Sequence, residues 1–236
     1  ASENNKEDSF KSFDRIPRRY HNLKKIQNSF LQCYFDTSKT QIAFEQLISG
    51  EDIDFSRYNF FFANYLLFKN KNIEAEKVIN LSRKKHKPNL LIKQAENFIL
   101  TKNNKKIKKF FNCKNPKDVI AEIFYVIANM YSTEENYKLS NFYLKISLFL
   151  NNKFTPNKTL LAENFFHQQK YELSKKIYES LKLIGPIYSW YASLNLAIIS
   201  SDIEGNKNSV FELEDEFNLL QNPDLEHNYE LANFFK

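Results

Sequence analysis

The chain has 236 residues, 42% of them hydrophobic and 26% charged, with a net charge of +6. Its three glycines and six prolines supply too little turn chemistry for a β-sandwich or barrel, and no Gly-rich loop that would cradle phosphate. No run approaches the roughly 18 consecutive apolar residues that a membrane-spanning helix needs.

Residues 1–15 are expected to be a flexible tail, polar and charged over most of its length. From Ile16 to Tyr34, Leu23, Ile26, Phe30, Leu31 and Tyr34 recur at helical spacing, and a second helix follows over Thr40–Ser49 with Gly50 as its stop signal. Further on, the pairs Phe62-Ala63, Gln94-Ala95, Ile127-Ala128, Leu161-Ala162, Leu196-Ala197 and Leu231-Ala232 place an alanine at successive steps of 32, 33, 34, 35 and 35 residues. A period in this range marks stacked helical hairpins, because one hairpin cannot bury its own apolar faces and needs a neighbour on each side.

The clearest units are the fourth and fifth. Phe124, Ile127, Ala128 and Tyr131 share one helix face, and after a turn at Thr133–Asn136 the second helix carries Ser140, Leu144 and Ser147. The next unit repeats this with Leu161, Ala162 and Phe165, then Ser174, Tyr178 and Leu181, and Pro186 ends it. The second unit fits through Ala63, Leu66, Ala75, Ile79 and Pro88. The third fits through Ala95, Phe98 and Phe111, with a short second helix and a long connection over Asn112–Pro116. The sixth has Leu196, Ala197, Ser209 and Leu213, with a bend at Glu204-Gly205-Asn206. A last helix begins at Asn228 and ends unpaired at Lys236, and residue 1 is Ala, so the chain is expected to be a piece of a longer protein.

A small residue, an aromatic three further on, a small residue nine beyond that and a closing proline: this pattern resembles the signature of the tetratricopeptide repeat (TPR) family. The resemblance implies an all-α, right-handed superhelical solenoid of antiparallel hairpins over residues 16–236. It comprises six to seven degenerate units, the last truncated. The chain departs from the family in that no unit has the expected tryptophan at its fourth place, Ser replaces Ala at 140, 174 and 209, and several second helices lack the final proline. Such a solenoid is a noncatalytic scaffold, without cofactor, that binds a protein or peptide in its concave groove. The resemblance places Asn64, Phe68, Tyr125, Asn129, Phe166, His167, Tyr191 and Tyr229 on that groove, where amides bond an extended backbone and aromatics offer rigid contact area. Phe60 and Tyr125 stand where family members that clamp chaperone C-termini carry lysine, which disfavours that ligand. The stretch from Asn115 to Phe124 is similar to exported alphaproteobacterial TPR proteins, which favours a periplasmic location over a cytoplasmic one.

Catalytic chemistry finds no footing. His21, His86, His167 and His227 stand at no motif spacing to a nucleophile, and Glu212, Glu214, Asp215 and Glu216 point different ways around a helix, so no catalytic residue or metal site is expected. Cys33 and Cys113, 80 residues apart and without a Cys/His cluster, are expected as two buried free thiols. Two rival readings remain. One is RNA or anionic-surface binding through the basic runs 83–87 and 105–109. The other is a regulatory arm of an enzyme domain carried elsewhere in a longer protein.

Overall fold

The computed structural model describes residues 5–49, 56–86, 88–220 and 223–235. Gly50, Lys87 and Lys236, assigned above to a helix stop, a basic run and the last helix, lie outside the described residues. Every regular element among the described residues is helical. They are α1 (Lys6–Asp14), α2 (His21–Tyr34), α3 (Thr40–Ile48), α4 (Ser56–Phe68), α5 (Asn72–Lys85), α6 (Leu90–Leu100), α7 (Asn104–Phe110), α8 (Pro116–Thr133), α9 (Tyr137–Leu150), α10 (Pro156–His167), α11 (Tyr171–Lys182), α12 (Pro186–Ile198), α13 (Ser209–Asn218) and α14 (Leu225–Phe234). The protein is all-α.

From α2 to α13 the helices pair into hairpins, and one backbone device recurs at their turns. Asp36, Asn70, Lys102, Glu135, Gln169 and Gly205 all take the left-handed conformation, at successive spacings of 34, 32, 33, 34 and 36 residues. At the first five, the left-handed residue donates its N–H to the carbonyl three residues back, and the following residue donates to the carbonyl five before itself. In the second hairpin these bonds are Asn70 N to Leu67 O at 3.1 Å and Lys71 N to Leu66 O at 2.9 Å. This is the Schellman closure, which satisfies the last carbonyls of the helix and turns the chain sharply. At the sixth turn a π-helical segment, Ile199–Ile203, continues α12 and widens the bonds to Gly205 N–Ser201 O and Asn206 N–Ser200 O. That widening accounts for the longer last interval.

The periodic alanines at 63, 95, 128, 162 and 197 are buried, as are Ser140, Ser174 and Ser209, whereas Ala232 is exposed. The serines add a bond that alanine cannot make. Ser174 Oγ donates to Ala162 O at 2.8 Å across the α10–α11 hairpin, and Ser29 Oγ donates to Ala43 O at 3.0 Å across α2–α3. A small hydroxyl both permits close helix approach and joins the two backbones. Prolines open helices rather than only closing units: Pro156 and Pro186 stand in the first turn of α10 and α12, where a missing N–H costs nothing.

The chain divides into two compact units, residues 1–126 with 145–154 and residues 127–144 with 155–236. In the first, Phe61 of α4 sits at the centre. Its ring lies 5.2 Å from Phe30, 4.4 Å from Phe111 and 5.5 Å from Phe154. Rings from positions 30 to 154 therefore share one core, which strict docking of sequence neighbours does not produce. The same convergence corrects the reading of the cysteines: Cys33 on α2 and Cys113 after α7 form a disulfide, with Cα atoms 5.9 Å apart. Residues 6–14, expected to be a loose tail, form α1. Asn5 caps it by accepting from Asp8 N, Glu7 and Asp8 complement the dipole of its first turn, and Phe10 lies against Phe35.

In the second unit the principal packing runs between sequence neighbours, α10 on α11, α11 on α12, α12 on α13 and α13 on α14. Trp190 anchors its end, packed with Ala197, Leu213, Phe217 and Leu231, and its indole N–H donates to Glu230 Oε2 at 2.6 Å.

Candidate functional site

Three of the residues expected on the groove come together in the second unit. Glu163 directly follows the buried Ala162 on α10, and His167 stands one helical turn later on the same face. Tyr191 of α12 donates its hydroxyl to Glu163 Oε1 at 2.5 Å. Behind it, Tyr178 of α11 meets the Tyr191 ring edge-on at 5.9 Å and donates to Asn195 Oδ1 at 3.3 Å, while Asn195 Nδ2 donates back to Tyr191 O. His167 stacks on Tyr137 of α9 with ring centroids 5.4 Å apart, and Phe166 stands edge-on to both His167 and Tyr171. Four helices, α9 to α12, thus bring together two groups of rings, Tyr137–His167–Phe166–Tyr171 and Tyr178–Tyr191, with the Glu163 carboxylate bonded to the second.

Burial dominates the electrostatics of this wall of rings. Burial raises the Glu163 carboxyl above its usual 4.5, against the opposing pull of the Tyr191 hydrogen bond and the His167 charge. Burial and the adjacent Glu163 push the Tyr191 phenol far up, and the same two causes bring Tyr178 to about 12. Neither phenol releases a proton near neutrality, so neither is a nucleophile or a base there. What the cluster supplies is a fixed acceptor among rigid aromatic faces, the type of surface that holds a ligand at low entropic cost.

The other expected wall residues are placed differently. Asn64 is buried and donates to Ile107 O at 3.0 Å, so its amide satisfies the end of the short α7 and faces no groove. Tyr125 is buried as well, with the Arg57 guanidinium 4.4 Å above its ring. Asn129 is exposed on α8, Tyr229 is 67% exposed on α14, and Phe68 is 41% exposed with Lys108 Nζ 5.5 Å from its ring. Phe60, the other position compared with the chaperone clamp, is interior.

Two polar constellations stand out that the sequence reading passed over. Glu122, 0% exposed, accepts from Arg57 Nη2 at 2.5 Å and from Tyr58 Oη at 3.0 Å within the first unit. Burial opposes the Arg57 charge, but Glu122 and the neighbouring tyrosines outweigh it and hold the guanidinium protonated. Asn164, next to Glu163, is the other. Its Nδ2 donates to Ser140 Oγ at 2.7 Å and to Asn141 Oδ1 at 2.9 Å, while Ser132 Oγ donates to its Oδ1 at 2.6 Å. This hub locks α10 against the adjoining stretches of α8 and α9 and sets the orientation from which Glu163 projects. Glu163 itself carried a legible signal, since it occupies the place after the periodic alanine that Asn64 and Asn129 hold in earlier units. Comparison of the chain with protein-family profiles, curated proteins and solved structures returns no match.

Proposed function

We propose that the chain is a noncatalytic TPR-type solenoid that captures a protein or peptide partner, with the α10–α12 wall as its contact surface. The observation that carries this reading is the recurrence of one left-handed turn at 32- to 36-residue spacing through six hairpins. That backbone period belongs to a hairpin array, whose concave faces serve as binding surfaces. The wall supports the second half of the reading: it combines rigid rings with one hydrogen-bonded acceptor. The Cys33–Cys113 disulfide supports an exported protein, because such bonds persist in oxidising compartments.

Small-angle scattering tests the architecture: a superhelix gives an elongated profile, and a compact spherical one overturns the solenoid. Affinity capture with quantitative mass spectrometry tests the surface. Phe166→Ala with Tyr191→Ala should abolish the specific capture that wild type shows, while Leu100→Ala on another exposed surface should leave it intact. Equal capture by all three folded proteins removes the α10–α12 wall from the interface.

A further inference from the structure

We infer that the first unit carries a second, separate site, built to hold a nucleotide unit: a phosphate with a flat base. A cleft of about 570 Å³ lies between Phe68 of α4, Lys108 and Lys109 of α7, Asn112 and Asp118 around the start of α8, and the segment Phe149–Lys153 at the end of α9. Its volume falls in the range of small-molecule sites, roughly 300–1,000 Å³.

Lys108, Lys109 and Lys153 line this cleft, and no salt bridge engages any of them among the described residues, although the Lys108 ammonium lies over the Phe68 ring and the Lys153 charge acts on Asp118. The single carboxylate present is already committed: Asp118 accepts from Asn112 N and from Asn115 Nδ2, both at 2.8 Å. The cleft therefore keeps a positive balance that an anion would neutralise. Its rim then offers rings. Phe149 is 89% exposed, and Phe68 is partly open under Lys108. Covering an exposed phenylalanine is favourable, so a ring left this open at the rim of a cationic cleft is matched to a flat apolar guest.

Lysines that neutralise phosphate next to rings on which bases stack are the two elements by which single strands are held without sequence preference. A bilayer presents anions and apolar matter too, but a concave surface does not lie against a plane. An acidic peptide satisfies the lysines and leaves the rings unused. The nucleotide unit uses both, and it can come from a single strand or from a free nucleotide.

Fluorescence anisotropy with labelled single-stranded oligonucleotides of about ten residues, and competition by a nucleoside monophosphate, tests the site. Three phosphate contacts predict that log K falls with log salt at a slope near 2 (about 0.7 for each contact), and Lys108→Ala lowers that slope by about 0.7. Phe149→Ala weakens binding about tenfold with the slope unchanged, consistent with a lost stacking contact. A reversed-charge K108E/K109E protein with unaltered circular dichroism binds at least tenfold more weakly. Competition by the mononucleotide at matched phosphate concentration identifies a free nucleotide as the source, and its failure to compete identifies a strand. Absence of binding to both probes overturns the proposal, as does binding indifferent to all three variants. So does tighter binding to phosphatidylglycerol vesicles or to poly-glutamate than to the oligonucleotide.

Discussion

Breaking the Cys33–Cys113 disulfide should destabilise the first unit by several kcal/mol. The bond closes a loop across a sequence separation of 80 residues. On the chain-entropy account, a loop of that length removes about 15 cal/mol/K from the denatured ensemble, or about 4.5 kcal/mol at 25 °C. Native-state losses on reduction should be small, because both sulfurs are buried and two thiols fill nearly the same space. For a protein of this size each kcal/mol shifts Tm by about 2–4 °C, so the full effect corresponds to about 9–18 °C. Thermal unfolding with and without a phosphine reductant, alongside Cys33→Ala/Cys113→Ala, measures it. Alkylation and intact mass before and after reduction show whether the bond is present in the isolated protein. Two free thiols in protein isolated under oxidising conditions, or a Tm that ignores reductant while the mass shows the bond opening, would refute the reasoning.

The turn geometry makes its own forecast. Glu135 and Gln169 hold the left-handed conformation with exposed side chains, which costs a residue with a Cβ about 1–2 kcal/mol. Glycine there removes that cost but adds roughly 0.4–1 kcal/mol of denatured-chain entropy, so Glu135→Gly and Gln169→Gly should each stabilise by about 0.5–1 kcal/mol in urea denaturation. A loss of stability would mean that these side chains do more than occupy a turn. In the first unit, burial already raises the Glu122 carboxyl against the pull of Arg57, so Arg57→Ala leaves that carboxyl buried without its counterion, to be kept charged or forced to take up a proton, and should cost about 3–5 kcal/mol, whereas Arg57→Met with Glu122→Leu should recover most of that loss. A double variant no better than the single one would show that the pair contributes shape rather than charge balance.

The helical hairpins were legible in the sequence because their signal is carried by small residues that cannot be replaced without separating two backbones. Ala63, Ala95, Ala128 and Ala162 are all buried, and Ser174 answers Ala162 directly. Ala232 is exposed although the period selects it, since among the described residues α14 packs chiefly on α13. Contacts between distant segments were not legible. Phe30, Phe61, Phe111 and Phe154 meet across widely separated stretches of the chain, and nothing local to any one of those rings encodes it. The disulfide is hidden for the same reason: a separation of 80 residues along the chain does not fix the distance in space. Asn64 shows the equivalent limit for the site, because its position in the repeat matches Asn129 while the carbonyl of Ile107 has claimed its amide.

The six turns also explain how such an array tolerates wide drift in sequence. Asp, Asn, Lys, Glu and Gln occupy the same left-handed place at the first five turns and Gly at the wider sixth, so what recurs is backbone hydrogen bonding around a left-handed residue and not a side chain. Backbone bonds are available to every residue but proline, and the conformational cost at any one turn is about 1–2 kcal/mol, small enough for helix packing on either side to absorb. Selection then acts on the buried small residues, where an added methylene forces helices apart, and leaves the exposed faces free to diverge. The side chains that give a face its character, Glu163 and Tyr191 on one unit and Lys108 and Phe149 on the other, are therefore the ones the repeat itself does not constrain.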